Sequence, residues 1–214
     1  MKKLLAIFLL ASIATACNND PKGTVQSTEA KEVPTTSGAV NYQLDTARSR
    51  VFWEGNEGLA MIRTSHKGFF RLNSGNLSVQ NGALTGGAFE ISTASFTDID
   101  IPDPATRTKF EGHIRDANFL GSTEFPTARF EWTGSEKMSA DSVKITGNLV
   151  LKNVRKSITF PAKVIIRDNT VQADAKFSIN RKDWGIHYRS ENSLGDDLVR
   201  PEVGIQLQIV ASKQ

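Results

Sequence analysis

"GNLVLKNVRKSITFPAKV", residues 147–164, is apolar at alternate positions through two runs divided by a polar turn. Ile145, Gly147, Leu149 and Leu151 share one side of the first run. Ile158, Phe160, Ala162 and Val164 share one side of the second. The other sides carry Thr146, Asn148, Lys152, Ser157, Thr159 and Lys163. A period of two is the signature of a strand with one buried face. Two such runs joined by "KNVRK" at 152–156 form an antiparallel pair.

The same period continues in both directions. Strands are expected at 42–45, 48–54, 67–72, 76–80, 83–93, 127–133, 142–152, 156–167, 170–180 and 202–212. In "VQADAKFSI", Val171, Ala173, Ala175, Phe177 and Ile179 face one way, and Val203, Ile205, Leu207, Ile209 and Ala211 repeat the pattern in the last strand. Turn chemistry at "QNG" (80–82) and "RDN" (167–169) separates the runs. Many one-sided strands with short connections make an antiparallel sheet that buries its apolar face, as a sandwich or a closed barrel.

One segment breaks the period. In "DPATRTKFEGHIRDANFLG", Asp103 is placed to cap a helix and Pro104 to occupy its first position. Phe110, Ile114 and Ala117 fall at helical spacing, and Gly121 is a candidate stop. A short amphipathic helix between strands covers either a sheet edge or the mouth of a cavity.

Residues 1–16 read as a signal peptide: "MKK" is followed by the apolar "LLAIFLLASIA", too short for a stable membrane span. Cys17 is the only cysteine, so an intramolecular disulfide is excluded. "ATAC" resembles a bacterial lipobox, which makes Cys17 the expected lipidation site. Residues 17–40, rich in Thr, Ser, Pro and charge, read as a flexible tether. A chain beginning near Asn41 is expected to fold equally well, and the domain spans 41–214. The location expected is a bacterial membrane, outer by Asn18 after Cys17, on its periplasmic or surface side.

The formal net charge is +3, and Lys2 and Lys3 belong to the signal. That leaves no basic field for nucleic acid. The three histidines, His66, His113 and His187, lack HxxxH spacing, so no metal site is expected. No GxSxG elbow, phosphate loop or dinucleotide fingerprint occurs. No cofactor and no enzymatic reaction are expected. Phenylalanines are spread over strands and helix, while Gly147, Ala162, Ala173 and Ala175 sit in rows beside them. Small residues across neighbouring strands either leave a channel, as in eight-stranded barrels that hold one ligand, or receive bulky partners.

The chain from about Tyr42 onward resembles the YceI family of exported, lipocalin-like bacterial proteins. The resemblance is carried by "LDTARSRVFWEG", "SHKGFFRLNSGNLSVQNGALTGGAFEI", "KFEGHIRDANFLGSTEFPTARFEW", "KITGNLVLKNVRKSITFPAKV" and "FSINRKDWGI", in the family's order. "ANFLGSTEFPTA" departs from it, since relatives more often carry paired Phe, then Asp-Val, then Tyr-Pro-Thr. The resemblance implies an eight-stranded antiparallel barrel with a helical segment near one end. It also implies an apolar interior that takes an isoprenoid chain, of a polyprenyl phosphate or a prenylated quinone. Wall positions are then Ile145, Leu149, Phe160, Val164, Phe177 and Ile179, with Phe110, Ile114 and Phe119 at the helical closure. His66 and His113 either meet a head group or pin a loop, and Arg181 and Asp183 stabilise the turn after a strand. Two alternatives remain: a solidly packed interaction module, and a lipid-modifying enzyme with His66 or His113 as base.

Overall fold

A computed structural model describes residues 23–35, 37–58, 64–190 and 199–213. Its strands are β1 (Thr28–Glu29), β2 (Val40–Leu44), β3 (Arg50–Glu57), β4 (Thr64–Phe70), β5 (Leu72–Gln80), β6 (Ala83–Ser92), β7 (Thr97–Asp98), β8 (Thr127–Lys137), β9 (Ser142–Leu151), β10 (Val154–Arg167), β11 (Thr170–Asn180) and β12 (Glu202–Lys213). The helix α1 spans Pro104–Arg115. Every alternating run in the sequence becomes a strand, because each presents its apolar side to one common interior.

The sheet closes on itself. β9 pairs with β8 and β10, β10 with β11, and β11 with β12. β12 then meets β3 through Gly204–Gln208 and β2 through Ala211–Lys213, so β2 and β3 form one bent staves' edge. β4 and β5 flank Arg71 in the same way, and β6 returns the path to β8. The result is an eight-stranded antiparallel barrel with one short helix.

Small residues inside the barrel are matched to rings. A Cβ on Gly147 would lie 2.7 Å from Phe130 Cε2 and 2.8 Å from the Glu131 carbonyl oxygen, so glycine admits the Phe130 ring. Ala162 pairs with Ala175 at the end filled by Trp132, Ile145 and Phe160. These rows therefore make room for protein side chains, not for a channel. Leu77, Val171 and Ala211 complete this closed end at 0–1 % exposure.

The helix starts where its cap chemistry places it: Asp103 accepts the Thr106 backbone N–H at 2.7 Å, and Pro104 follows. It ends at Arg115, earlier than Ala117 and Gly121 would suggest. Asp116 is already extended, and Gly121 (φ +58°) serves the following turn instead, where the Phe125 N–H returns to its carbonyl. Phe110 and Ile114 pack on a second cluster of Trp53, Phe96, Phe119, Leu120 and Ile186 at the opposite end of the barrel.

The tether expectation meets a different arrangement over residues 24–31. β10 pairs with β11 only from Ala162 onward, so its first half leaves a seam. The N-terminal segment lies in that seam. Thr28 and Glu29 pair with Ser157 and Lys156, and the Val25 N–H donates to the Ser178 carbonyl at 2.8 Å. Asn148 closes the far side: its Oδ1 accepts the Lys31 N–H at 2.9 Å and its Nδ2 donates to the Lys31 carbonyl at 2.8 Å. Ser27 Oγ donates to Asp183 at 2.7 Å. The physical reason is edge satisfaction. A diverging strand pair leaves unpaired backbone groups, and any extended segment can answer them without an apolar pattern. Residues 1–22, including the signal and Cys17, lie outside the described residues.

Candidate apolar cavity and its mouth

Between the helical end and the packed end lies a cavity of about 300 Å³. Its wall comes from alternate residues of the barrel strands, among them Val51, Phe70, Leu149, Ile158, Ile179, Ile205 and Leu207. Its floor is a chain of rings: Phe89 and Phe130 stack at 6.2 Å, Phe130 meets Phe160 at 5.7 Å, and Phe160 stacks on Phe177 at 4.2 Å. Below Phe89, Phe130 and Phe160 lies a small void of about 20 Å³.

Of the residues expected to meet a ligand, Phe110, Ile114, Phe119, Leu149, Phe160, Phe177, Ile179, His66 and His113 line this cavity. Ile145 does not: it lies below the floor, against the small void. Val164 lies further still toward the closed end, opposite Ala173. Both point inward as their period requires, but period two fixes the face of a strand and not the height along the barrel. Trp53 and Phe96 were not assigned to the site and stack at 4.6 Å in its upper wall. The alternation of Val51 and Trp53 against Phe52 was the signal for the first.

The mouth carries the polar groups. Arg181 is 4 % exposed and lines the cavity. Its guanidinium donates to the carbonyls of Ile186 (2.7 Å), Tyr188 (2.6 Å) and Val199 (2.9 Å), and it lies 5.4 Å from the Phe119 ring centroid. Burial lowers its pKa. It thus holds both ends of the loop that follows β11, a wider role than stabilising the adjacent turn. His113 packs against the Phe119 and Tyr188 rings, at 5.4 and 4.9 Å.

His66 faces a different setting. Its ring lies 5.0 Å from Phe110, and its Nδ1 is 3.2 Å from Asp100 Oδ1 and 3.9 Å from Asp98 Oδ2. The position of Asp98 is set by Gly68, its pair on β4. A Cβ there would come within 2.8 Å of the Thr97 carbonyl carbon and 2.9 Å of Trp53 Cε2, so only glycine lets β7 approach. Asp98 Oδ1 accepts the N–H groups of Asp100 (3.0 Å) and Ile101 (2.8 Å). Its Oδ2 is buried without a hydrogen-bond partner. Burial pushes the Asp98 carboxyl up from the ordinary carboxylate range.

Residues 42–211 match the YceI-like domain. The chain belongs to the YceI-like family. Among curated relatives it is 32 % identical over 132 residues to a UPF0312 protein of Pseudomonas aeruginosa, covering 59 % of this chain and 63 % of that one. With a UPF0312 protein of Azotobacter vinelandii it shares 33 % over 102 residues, 48 % and 46 % of the two chains. The YceI-like chain thus matches about half to two thirds of the length of these relatives. Two solved structures share the fold. Burkholderia cenocepacia BcnA has a TM-score of 0.60 at 18 % identity, covering 78 % of this chain and 99 % of that one. A polyisoprenoid binding domain from Saccharophagus degradans has a TM-score of 0.59 at 13 % identity, covering 82 % and 99 %.

Proposed function

We propose that this YceI-like barrel is a non-catalytic binding or carrier protein for an isoprenoid-type lipid, a polyprenyl phosphate or a prenylated quinone. The protein is exported and held at a bacterial membrane through Cys17. The observation that carries the reading is the apolar cavity of about 300 Å³, floored by stacked rings and ending in His66, Glu57 and Arg181 at its mouth. An amphipathic molecule with an apolar tail and a polar head matches that division. The polyisoprenoid binding domain of Saccharophagus degradans, alike in fold, supports the lipid class.

Magnitudes agree. Each methylene transferred from water contributes about 0.8 kcal/mol, so the apolar tail alone supplies ample affinity. The cavity lies at the lower end of the usual ligand-pocket range of about 300–1,000 Å³. It therefore receives part of a long chain, and the remainder extends through the mouth. A packed interaction module would leave no such space, which weighs against that alternative.

The test is native mass spectrometry of the protein purified from its own host, with identification of extracted lipids. A bound isoprenoid released only on denaturation is the expected result. Protein that is free of lipid, and that takes up neither a polyprenyl phosphate nor a prenylated quinone from micelles, would refute the proposal.

A further inference from the structure

We propose that His66, Asp98 and Asp100 form a binding site for a divalent transition-metal ion, of the class represented by Zn²⁺ and Mn²⁺. The inference does not depend on the lipid reading. The donors come from two pieces of chain: His66 from β4, and Asp98 and Asp100 from the end of β7 and the turn immediately after it. One donor atom from each lies within 4.8 Å of the others. Metal bonds to nitrogen and oxygen of about 2.0–2.2 Å set neighbouring donors about 3.0–3.5 Å apart. The observed separations from His66 Nδ1, 3.2 Å to Asp100 Oδ1 and 3.9 Å to Asp98 Oδ2, need only small adjustment to meet that range.

The independent sign of a ligand is Asp98. Its side chain is fully buried, yet Oδ2 has no hydrogen-bond partner and is directed toward the His66 ring. The other oxygen is fixed by two backbone N–H groups, so the carboxylate is held in one orientation. A buried carboxylate oxygen with no partner carries a large desolvation cost that a cation would offset. His66 and Asp100 are each about one-quarter exposed, which leaves an approach from solvent. Glu57 Oε1, 3.9 Å from His66 Nε2, adds negative charge nearby.

The donor set selects the ion. Imidazole with two carboxylates suits Zn²⁺, Mn²⁺ and related first-row ions, whereas Ca²⁺ and Mg²⁺ favour oxygen alone. Three protein ligands leave coordination positions for water or another molecule. The competing account is an imidazolium shared between two carboxylates, which requires no metal.

Equilibrium dialysis of the full chain against Zn²⁺, with metal quantified by mass spectrometry, separates the two. Saturable uptake of a single equivalent is expected, undiminished by excess Ca²⁺. Asp98→Asn and Asp100→Asn should each weaken it by about tenfold or more. His187→Gln, at an exposed histidine outside the three-donor cluster, should leave it unchanged. Circular dichroism checks folding, and Asp100→Asn decides the matter if Asp98→Asn misfolds. Unsaturable uptake, uptake lost equally in His187→Gln, or wild-type affinity in the folded aspartate variants overturns the site.

Discussion

Phe160 and Phe177 stack face to face at 4.2 Å, 14° from parallel, and so separate the open half of the barrel from its packed half. On the proposed lipid reading, the pair would limit how far a tail penetrates. Phe160→Ala would join the cavity to the void beneath it, at a cost of about 3–5 kcal/mol. The expected result is a shift of co-purified lipid toward longer or more deeply held chains. Phe160→Leu offers the same comparison at lower cost. An unchanged lipid profile in both folded variants would remove the rings as the limiting element.

Ala175→Phe tests the packed half. Ala175 faces Leu207 and Ala162 below the floor, where little space is left. The ring should overpack this region and cost about 1–3 kcal/mol. Lipid occupancy should remain that of wild type, because the change lies outside the cavity. Urea midpoints and extracted lipid measured together check both statements.

The N-terminal strap should contribute to stability. Removing residues up to 38 opens the seam beside β10 and exposes Asn148 and Ser157, now 0 % and 1 % exposed. A fall in melting temperature of several degrees is expected, equivalent to about 1–3 kcal/mol from lost hydrogen bonds and burial. Asn148→Ala should destabilise the full chain but not the shortened one. Additive losses would show that Asn148 acts elsewhere than on Lys31.

Asp98 gives a pH signature. Its carboxyl pKa is raised in the folded protein, so the native state holds the proton more tightly than the unfolded chain does. Ionised Asp98 therefore works against folding at neutral pH. With a chelator present, Asp98→Asn should melt above wild type at pH 7. The gain should shrink as pH falls through the elevated native pKa and vanish below the unfolded value of about 3.9. A gain over wild type no larger at pH 7 than at pH 3 would contradict this.

Cys17→Ser should abolish incorporation of a fatty-acid analogue and release the protein from membranes while the barrel still folds. Unchanged labelling of the variant would end the assignment of Cys17 as the anchor.

The barrel was legible because alternation reports which side of each strand is inward, and Leu149, Phe160 and Phe177 carry that signal plainly. The helix was legible from Asp103 and Pro104, which act locally. The height of Ile145 and Val164 was not, since nothing in the alternation marks where the ring floor crosses the barrel. The strap at 24–31 was missed because backbone pairing needs no apolar residue. Asp98 and His66 were missed as partners because strand pairing, not sequence spacing, brings them together across Gly68.

The strap also sets a leash length. Thr24 is bridged to Ser178, close to the residues of the cavity mouth. Only seven peptide steps separate Cys17 from Thr24, and at about 3.5 Å per residue they reach no further than about 25 Å. A fully loose segment as far as Asn41 would have allowed about 80 Å by the same rule. A barrel anchored at Cys17 is therefore moored beside its own opening. Under the proposed anchoring, exchange with the bilayer would be a matter of rocking on a short mooring, with no need for the domain to travel.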